Sequence, residues 1–213
     1  MGIRPFVAIL AIVLVLVQIR PASGEDRKTR PERTKKSEYY GISAIKPEAA
    51  EWEIVSESGF DEHFRGDTSD MELCFVRWPK PNPDKFKDVP EMCFYVIDLP
   101  ASFFREFGGS KGLSKELFKL YLNKYYRDAE DIKEPTRNNT YKSTGGKSVT
   151  EFSFTGTSLR LEQARRVHVM LHKGDDHGYI IVVEGEPEAV KRNKAEEKYI
   201  LDNMGFAKGS RDK

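Results

Sequence analysis

The sequence lacks most of the features that announce a function. It has only two cysteines, Cys74 and Cys93, in 213 residues. That is too few for a disulfide scaffold, and their spacing is not that of a zinc finger. It has no excess charge of either sign. Lys and Arg number 35 against 34 Asp and Glu, for a net charge of +1, which excludes a strongly basic nucleic-acid binder on global charge. It has one long apolar run, at the N-terminus. The remaining apolar and aromatic content suffices for a single core and argues against global disorder.

That N-terminal run is the strongest local signal. Arg4 supplies a short positive region, Phe6 to Ile19 is apolar except for Gln18, and Ala22-Ser23-Gly24 places small residues where a signal peptidase reads. The pattern predicts a signal peptide over 1–24. The apolar stretch is 14 residues long, shorter than the ~20 of a spanning helix. Arg20, Arg27, Lys28 and Arg30 follow it and oppose translocation, so a membrane anchor at 6–19 is the alternative. No cysteine follows the run to take a lipid. The expected location is extracytoplasmic, periplasmic or secreted, with membrane contact only through this segment if it is retained.

Residues 25–38 carry charge, Thr and Pro, bury nothing, and read as a disordered charged linker. A single α+β domain is expected over 39–206 and a disordered tail over 207–213. Within the domain, Met71 to Trp78 and Glu91 to Leu99 read as strands, the first ended by Pro79, Pro81 and Pro83. Pro47-Glu48 could open a short helix, or Glu51 to Val55 a first strand. Trp78 is either a recognition patch beside the Pro-rich connection or an aromatic packed over a strand end. Ser114 is the expected N-cap of a helix to about Asp131, with Leu113, Leu117, Leu120, Tyr121 and Tyr125 at helical spacing. Tyr121, Tyr125 and Tyr126 suit core contact better than a ligand wall. Asn138-Asn139-Thr140 is a glycosylation sequon, meaningful only in a eukaryotic secretory pathway.

Lys147 to Phe154 reads as a short strand and leads to a hairpin, Ala164 to Gly185. Its first run alternates, with Val167, Val169 and Leu171 on one face and Arg166, His168, Met170 and His172 on the other. Its second run, Tyr179 to Glu184, is almost continuously apolar and reads as a central strand covered on both faces. Pro187 opens a last helix, with acidic neighbours suited to its dipole. The helix ends near Met204 with Gly205 as its stop.

The stretches Gly146 to Phe154, Arg166-Val167-His168-Val169, Gly178-Tyr179-Ile180-Ile181-Val182 and Ile200 to Phe206 together resemble the PsbP-like family, which comprises an extrinsic lumenal photosystem protein and its bacterial relatives. The match covers about Leu113 to Phe206. The part before Leu113 departs from the pattern, since it shows no clear opening hairpin. The resemblance implies an antiparallel β-sheet flanked by helices, an α/β/α sandwich. It also implies a non-enzymatic binding or assembly role, with no catalytic residues and no cofactor to carry over.

Few constellations carry chemistry. Gly145-Gly146-Lys147-Ser148 imitates the end of a phosphate loop, but Tyr141 stands where the first glycine belongs. His172, Asp175, Asp176 and His177 form the only ligand-rich cluster, a candidate metal site around the hairpin turn. His168 lies four residues from His172, ~13 Å along a strand, too far for one small ion to take both. Asp-Asp is also an ordinary turn closure. Cys74 and Cys93 form a disulfide if their strands are neighbours in the right register, or are otherwise two buried thiols. As nucleophiles they would need His63 or His168, and no motif links them. The acid pairs Asp61-Glu62 and Glu196-Glu197 lie on polar runs and read as solvated. Two functions remain open. One is an exported non-enzymatic binding or assembly module whose partner is an unknown protein or small ligand of the cell envelope. The other is an extracytoplasmic hydrolase or metal-dependent enzyme using the His172/Asp175/Asp176/His177 turn.

Overall fold

A computed structural model describes residues 33–37, 41–55, 71–84, 88–138, 149–173 and 177–206. Residues 1–24, expected as a signal peptide, most of the expected linker and residues 207–213 lie outside the described residues, as do His63, the 145–148 loop and the turn acids Asp175 and Asp176. None of the described helices is long and apolar enough to cross a membrane.

The central strand is β9 (His177–Gly185). It pairs antiparallel with β8 (Ala164–Lys173) on one side and β5 (Met92–Pro100) on the other. Period two sends Ile180 and Val182 to one face and Tyr179, Ile181 and Val183 to the other, and all five are buried. That accounts for the unbroken apolar run. Outward from this core lie β4 (Met71–Arg77) and β3 (Trp52–Val55) on one flank. On the other flank lie β7 (Val149–Ser158) and β6 (Tyr126–Asn138). The seven-stranded order is β3-β4-β5-β9-β8-β7-β6, antiparallel throughout.

The first face is closed by α1 (Ala101–Glu106) and α2 (Ser110–Leu120). Phe104, Leu113, Leu117, Phe118 and Tyr121 cover Phe152, Phe154, Val167, Val169 and Val182. The second face is closed by α3 (Pro187–Arg192), α4 (Lys194–Asp202) and a small sheet. That sheet pairs β1 (Thr34–Ser37) and β10 (Gly205–Phe206) with β2 (Ile42–Ile45). Ala189, Ile200, Leu201 and Met204 meet Phe75, Phe94, Val96 and Val183 there.

Four sequence expectations give way. The helix expected from Ser114 to Asp131 begins at Ser110, because Gly108 and Gly109, at φ +72° and +91°, end α1 and let the next turn start at once. Ser114 is consequently fully buried within α2. The same helix ends in a π-turn at Tyr121–Tyr125, and Tyr126 is extended, stacked on Tyr121 at 6.0 Å. Beyond it, Arg127 to Asp131 has no apolar stripe to hold a helix and becomes the edge strand β6, where Pro135 is tolerated. Register shifts and positive φ at Asp128 and Asp131 break this edge into bulges, which blunts it against pairing with another chain.

The linker expected to run to residue 38 meets the domain sooner. β1 pairs with β2 through backbone bonds that need no apolar side chain. Arg33 also binds the Lys46 carbonyl, Glu48 and the Tyr199 hydroxyl. β1 and β2 thus form the opening antiparallel pair that the sequence did not reveal. The last helix is likewise two helices, broken at Asn193.

Candidate functional site

The second sheet face changes character along its length. Over β4, β5 and β9 it is apolar and covered. Over β7 and β8 it carries Glu151, Ser153, Thr155, Arg166 and His168, and α3–α4 cover it only in part. The result is a groove of about 560 Å³. β7 and β8 form its floor, Lys133 and Thr136 of β6 one wall, and Lys191, Lys194, Glu197 and Lys198 the other.

His168 is the central polar contact. Its Nε2 lies 3.1 Å from Glu151 Oε2 and its Nδ1 3.1 Å from Glu197 Oε1. Burial alone would lower the imidazole pKa. The hydrogen bonds and charges of the two carboxylates outweigh burial and raise it to about 9. At neutral pH the ring is an imidazolium that donates to both acids and ties α4 to the sheet. The adjacent Glu196 ties the same helix to β3 and β4, accepting from Trp52 Nε1 at 2.7 Å and Arg77 Nε at 3.2 Å. The Glu196-Glu197 pair is therefore structural and half-buried, not a solvated run. Neither role was visible in sequence, because the partners lie 29 to 144 residues away.

Arg166 lies beside His168 on the floor. Its Nη2 donates to Ser153 Oγ at 3.0 Å, and its Nη1 to Thr155 Oγ1 at 3.3 Å and the Asp131 carbonyl at 3.4 Å. All three acceptors are neutral. The groove's two carboxylates are both engaged by His168, so its charge balance is positive.

Of the turn cluster His172/Asp175/Asp176/His177, only the His172 side chain lies within the described residues. His172 is buried, with its ring stacked on Phe206 at 4.3 Å, where β10 closes the domain. It was expected on a less apolar face, but the small sheet covers that face too. His177 contributes backbone pairing to Pro100. Among the described residues no group of three His, Cys, Asp or Glu is placed to hold a metal ion.

Cys74 and Cys93 are both free and buried. Burial raises both thiols, that of Cys93 to about 12, so neither is a ready nucleophile. They also face the first core, whereas His168 lies on the second face, with the sheet between them. Trp78 is buried, and its Nε1 donates to Glu53 at 3.0 Å, which makes it a packing residue. Tyr121 and Tyr126 belong to the first core, while Tyr125 stays exposed.

The sequence matches no family model and no curated protein. The fold does have solved counterparts. Cyanobacterial PsbP (CyanoP) from Synechocystis sp. PCC 6803 matches with a TM-score of 0.55 at 10% identity, covering 88% of this chain and 99% of that one. LpqN of Mycobacterium tuberculosis, described as involved in cell envelope biogenesis, matches with a TM-score of 0.47 at 11% identity, covering 85% and 88%. A protein of unknown function from Pseudomonas aeruginosa, PA94, described as a putative regulator, gives 0.43 at 10% identity, covering 61% and 78%. The chain thus has the α+β, antiparallel-sheet fold of cyanobacterial PsbP. At this identity the likeness is one of fold alone.

Proposed function

We propose that this chain is an exported, non-enzymatic binding or assembly module whose working surface is the groove between β6–β8 and α3–α4. One observation carries the reading. Arg166 sits on the floor of a groove of about 560 Å³ among neutral acceptors, with lysines on both walls. That arrangement suits holding a partner and supplies no nucleophile–base pair. Export is supported by the short apolar run and by Ala22-Ser23-Gly24. The partner is a protein or small ligand of the cell envelope.

The test is capture from the chain's own envelope fraction by mature protein, compared with Lys191→Glu/Lys194→Glu and with Lys119→Glu on the far helix α2. Loss of a specific partner with the first variant alone supports the reading. Capture indifferent to the groove lysines overturns it. Intact mass of the native protein tests export separately, with cleavage after Gly24 as the expected result.

A further inference from the structure

The groove's chemistry says what kind of ligand it takes. A guanidinium on a partly covered sheet face ordinarily meets a carboxylate. Arg166 does not, because Glu151 and Glu197 both bind His168. Its three hydrogen bonds run to two hydroxyls and a carbonyl. These fix the plane of the fork without neutralising it, and leave N–H donors over. Ser153 and Thr155 accept from Arg166, so each retains a hydroxyl proton to donate. The floor therefore offers one fixed positive charge with hydroxyl donors beside it.

The walls add charge from opposite sides. Lys133 projects from β6, and no ion pair is formed by it or by Lys194 among the described residues. Lys194 and Lys198 lie four residues apart on α4, about 6 Å along its axis, and Lys191 stands on α3 before the break at Asn193. Lys198 is paired with Asp202 at 2.7 Å, and Lys191 lies 4.0 Å from Glu188. The unbalanced cations are thus Arg166 below, Lys133 on one wall and Lys194 on the other. A single carboxylate would satisfy only one of them. The groove's size falls within the usual range for small-molecule sites.

We propose that this groove binds a small anion carrying two or more phosphoryl groups, one seated on Arg166 and its neighbouring hydroxyls and another held between Lys133 and Lys194. A phosphoryl group has three acceptor oxygens, enough to take the guanidinium fork, a hydroxyl and an ammonium together. The inference rests on the groove being the working surface.

Titration of the mature protein with inorganic pyrophosphate, followed by calorimetry, tests it. Binding is expected. Arg166→Gln should weaken it by about tenfold or more, as the loss of charge-assisted hydrogen bonds predicts. Arg166→Lys, which keeps the charge and loses the fork, should fall between. Lys119→Glu should leave affinity unchanged, and a cooperative melt for each variant shows that it is folded. Vesicles of phosphatidylcholine with cardiolipin, whose headgroup carries two phosphates, form a second arm. Binding to them through Arg166 would identify a lipid headgroup as the source, and binding to pyrophosphate alone a free phosphorylated molecule. Absence of pyrophosphate binding, or binding indifferent to Arg166, overturns the proposal. If envelope capture still depends on Lys191 and Lys194 in that case, the binding-module reading stands and only the phosphoryl chemistry falls.

Discussion

Cys74 and Cys93 stand on adjacent antiparallel strands and face the same core, two residues out of step. Cys74 pairs across the ladder with Tyr95, and Cys93 with Val76. Directly facing positions fall within disulfide range, but diagonal ones lie ~7–8 Å apart, beyond it. Of the two readings open in sequence, buried thiols is the one the register supports. Titration of unreduced, denatured protein should find two thiols per chain. Native protein should react slowly, since burial holds both groups as neutral thiols. A denatured chain with no reactive thiol would show that the β4–β5 register is wrong.

What the sequence revealed and what it hid follow from the range of the interactions. β4, β5, β8 and β9 were legible because each writes its burial into period two or a continuous apolar run. The end of α2 was not, because Tyr121 and Tyr126 stack on each other and both meet Phe154 edge-on where it stops, contacts no local pattern signals. β1 was hidden because its pairing is backbone only. The groove was hidden for a similar reason. His168 and Arg166 were correctly placed on one strand face, but the acids and lysines that give them meaning arrive from β7, β6 and α4. The metal candidates were visible as a cluster of ligand-type residues. Of these, His172 packs on Phe206, while Asp175, Asp176 and the side chain of His177 lie outside the described residues.

His168 makes stability depend on pH in a definite direction. Its pKa in the folded chain, about 9, lies above the ~6.5 of an unfolded histidine. The folded state therefore binds the proton more tightly. The stabilisation is fully present below pH ~6.5 and is lost as pH rises through 9. The limit is roughly 3 kcal/mol, given the size of the shift. Urea midpoints measured between pH 6 and 10 should fall over that window for the wild type, and His168→Gln should flatten the dependence. An unchanged slope in His168→Gln would place the titrating group elsewhere.

Arg165 and Glu184 form a pair inside the first core. Their side chains are 0% and 2% exposed, with Arg165 Nε 3.4 Å from Glu184 Oε1. Both Nη groups of Arg165 donate to the Pro90 carbonyl at 3.1 Å. Such a pair need not stabilise the fold relative to an apolar core, but removing one member strands the other charge. Glu184→Ala should cost about 3–5 kcal/mol in urea unfolding. Arg165→Met/Glu184→Leu should recover most of that loss. A double-variant loss equal to the sum of the separate Arg165→Met and Glu184→Leu losses would mean that the two charges are not coupled.

Gly178 is the second residue of β9 and begins the stretch Gly178 to Val182 that the family resemblance includes without a reason for the glycine. The structure supplies one. A Cβ on Gly178 would lie 1.9 Å from Phe104 Cε2 and 2.2 Å from its Cζ. Gly178 itself is not at a positive φ, since the positive-φ glycines are elsewhere, so the demand is for space and not for backbone freedom. Phe104 is fully buried on the short helix α1, where its ring packs with the first core and has little room to retreat. Gly178→Ala should therefore destabilise by about 1–3 kcal/mol, the usual cost of overpacking. Phe104→Leu alone should also destabilise, by leaving a cavity. Combined with Gly178→Ala it should cost less than the sum of the two, because the smaller side chain makes room for the methyl group. A double-mutant cycle in urea measures this directly. A coupling energy near zero would show that α1 does not seat Phe104 on the start of β9.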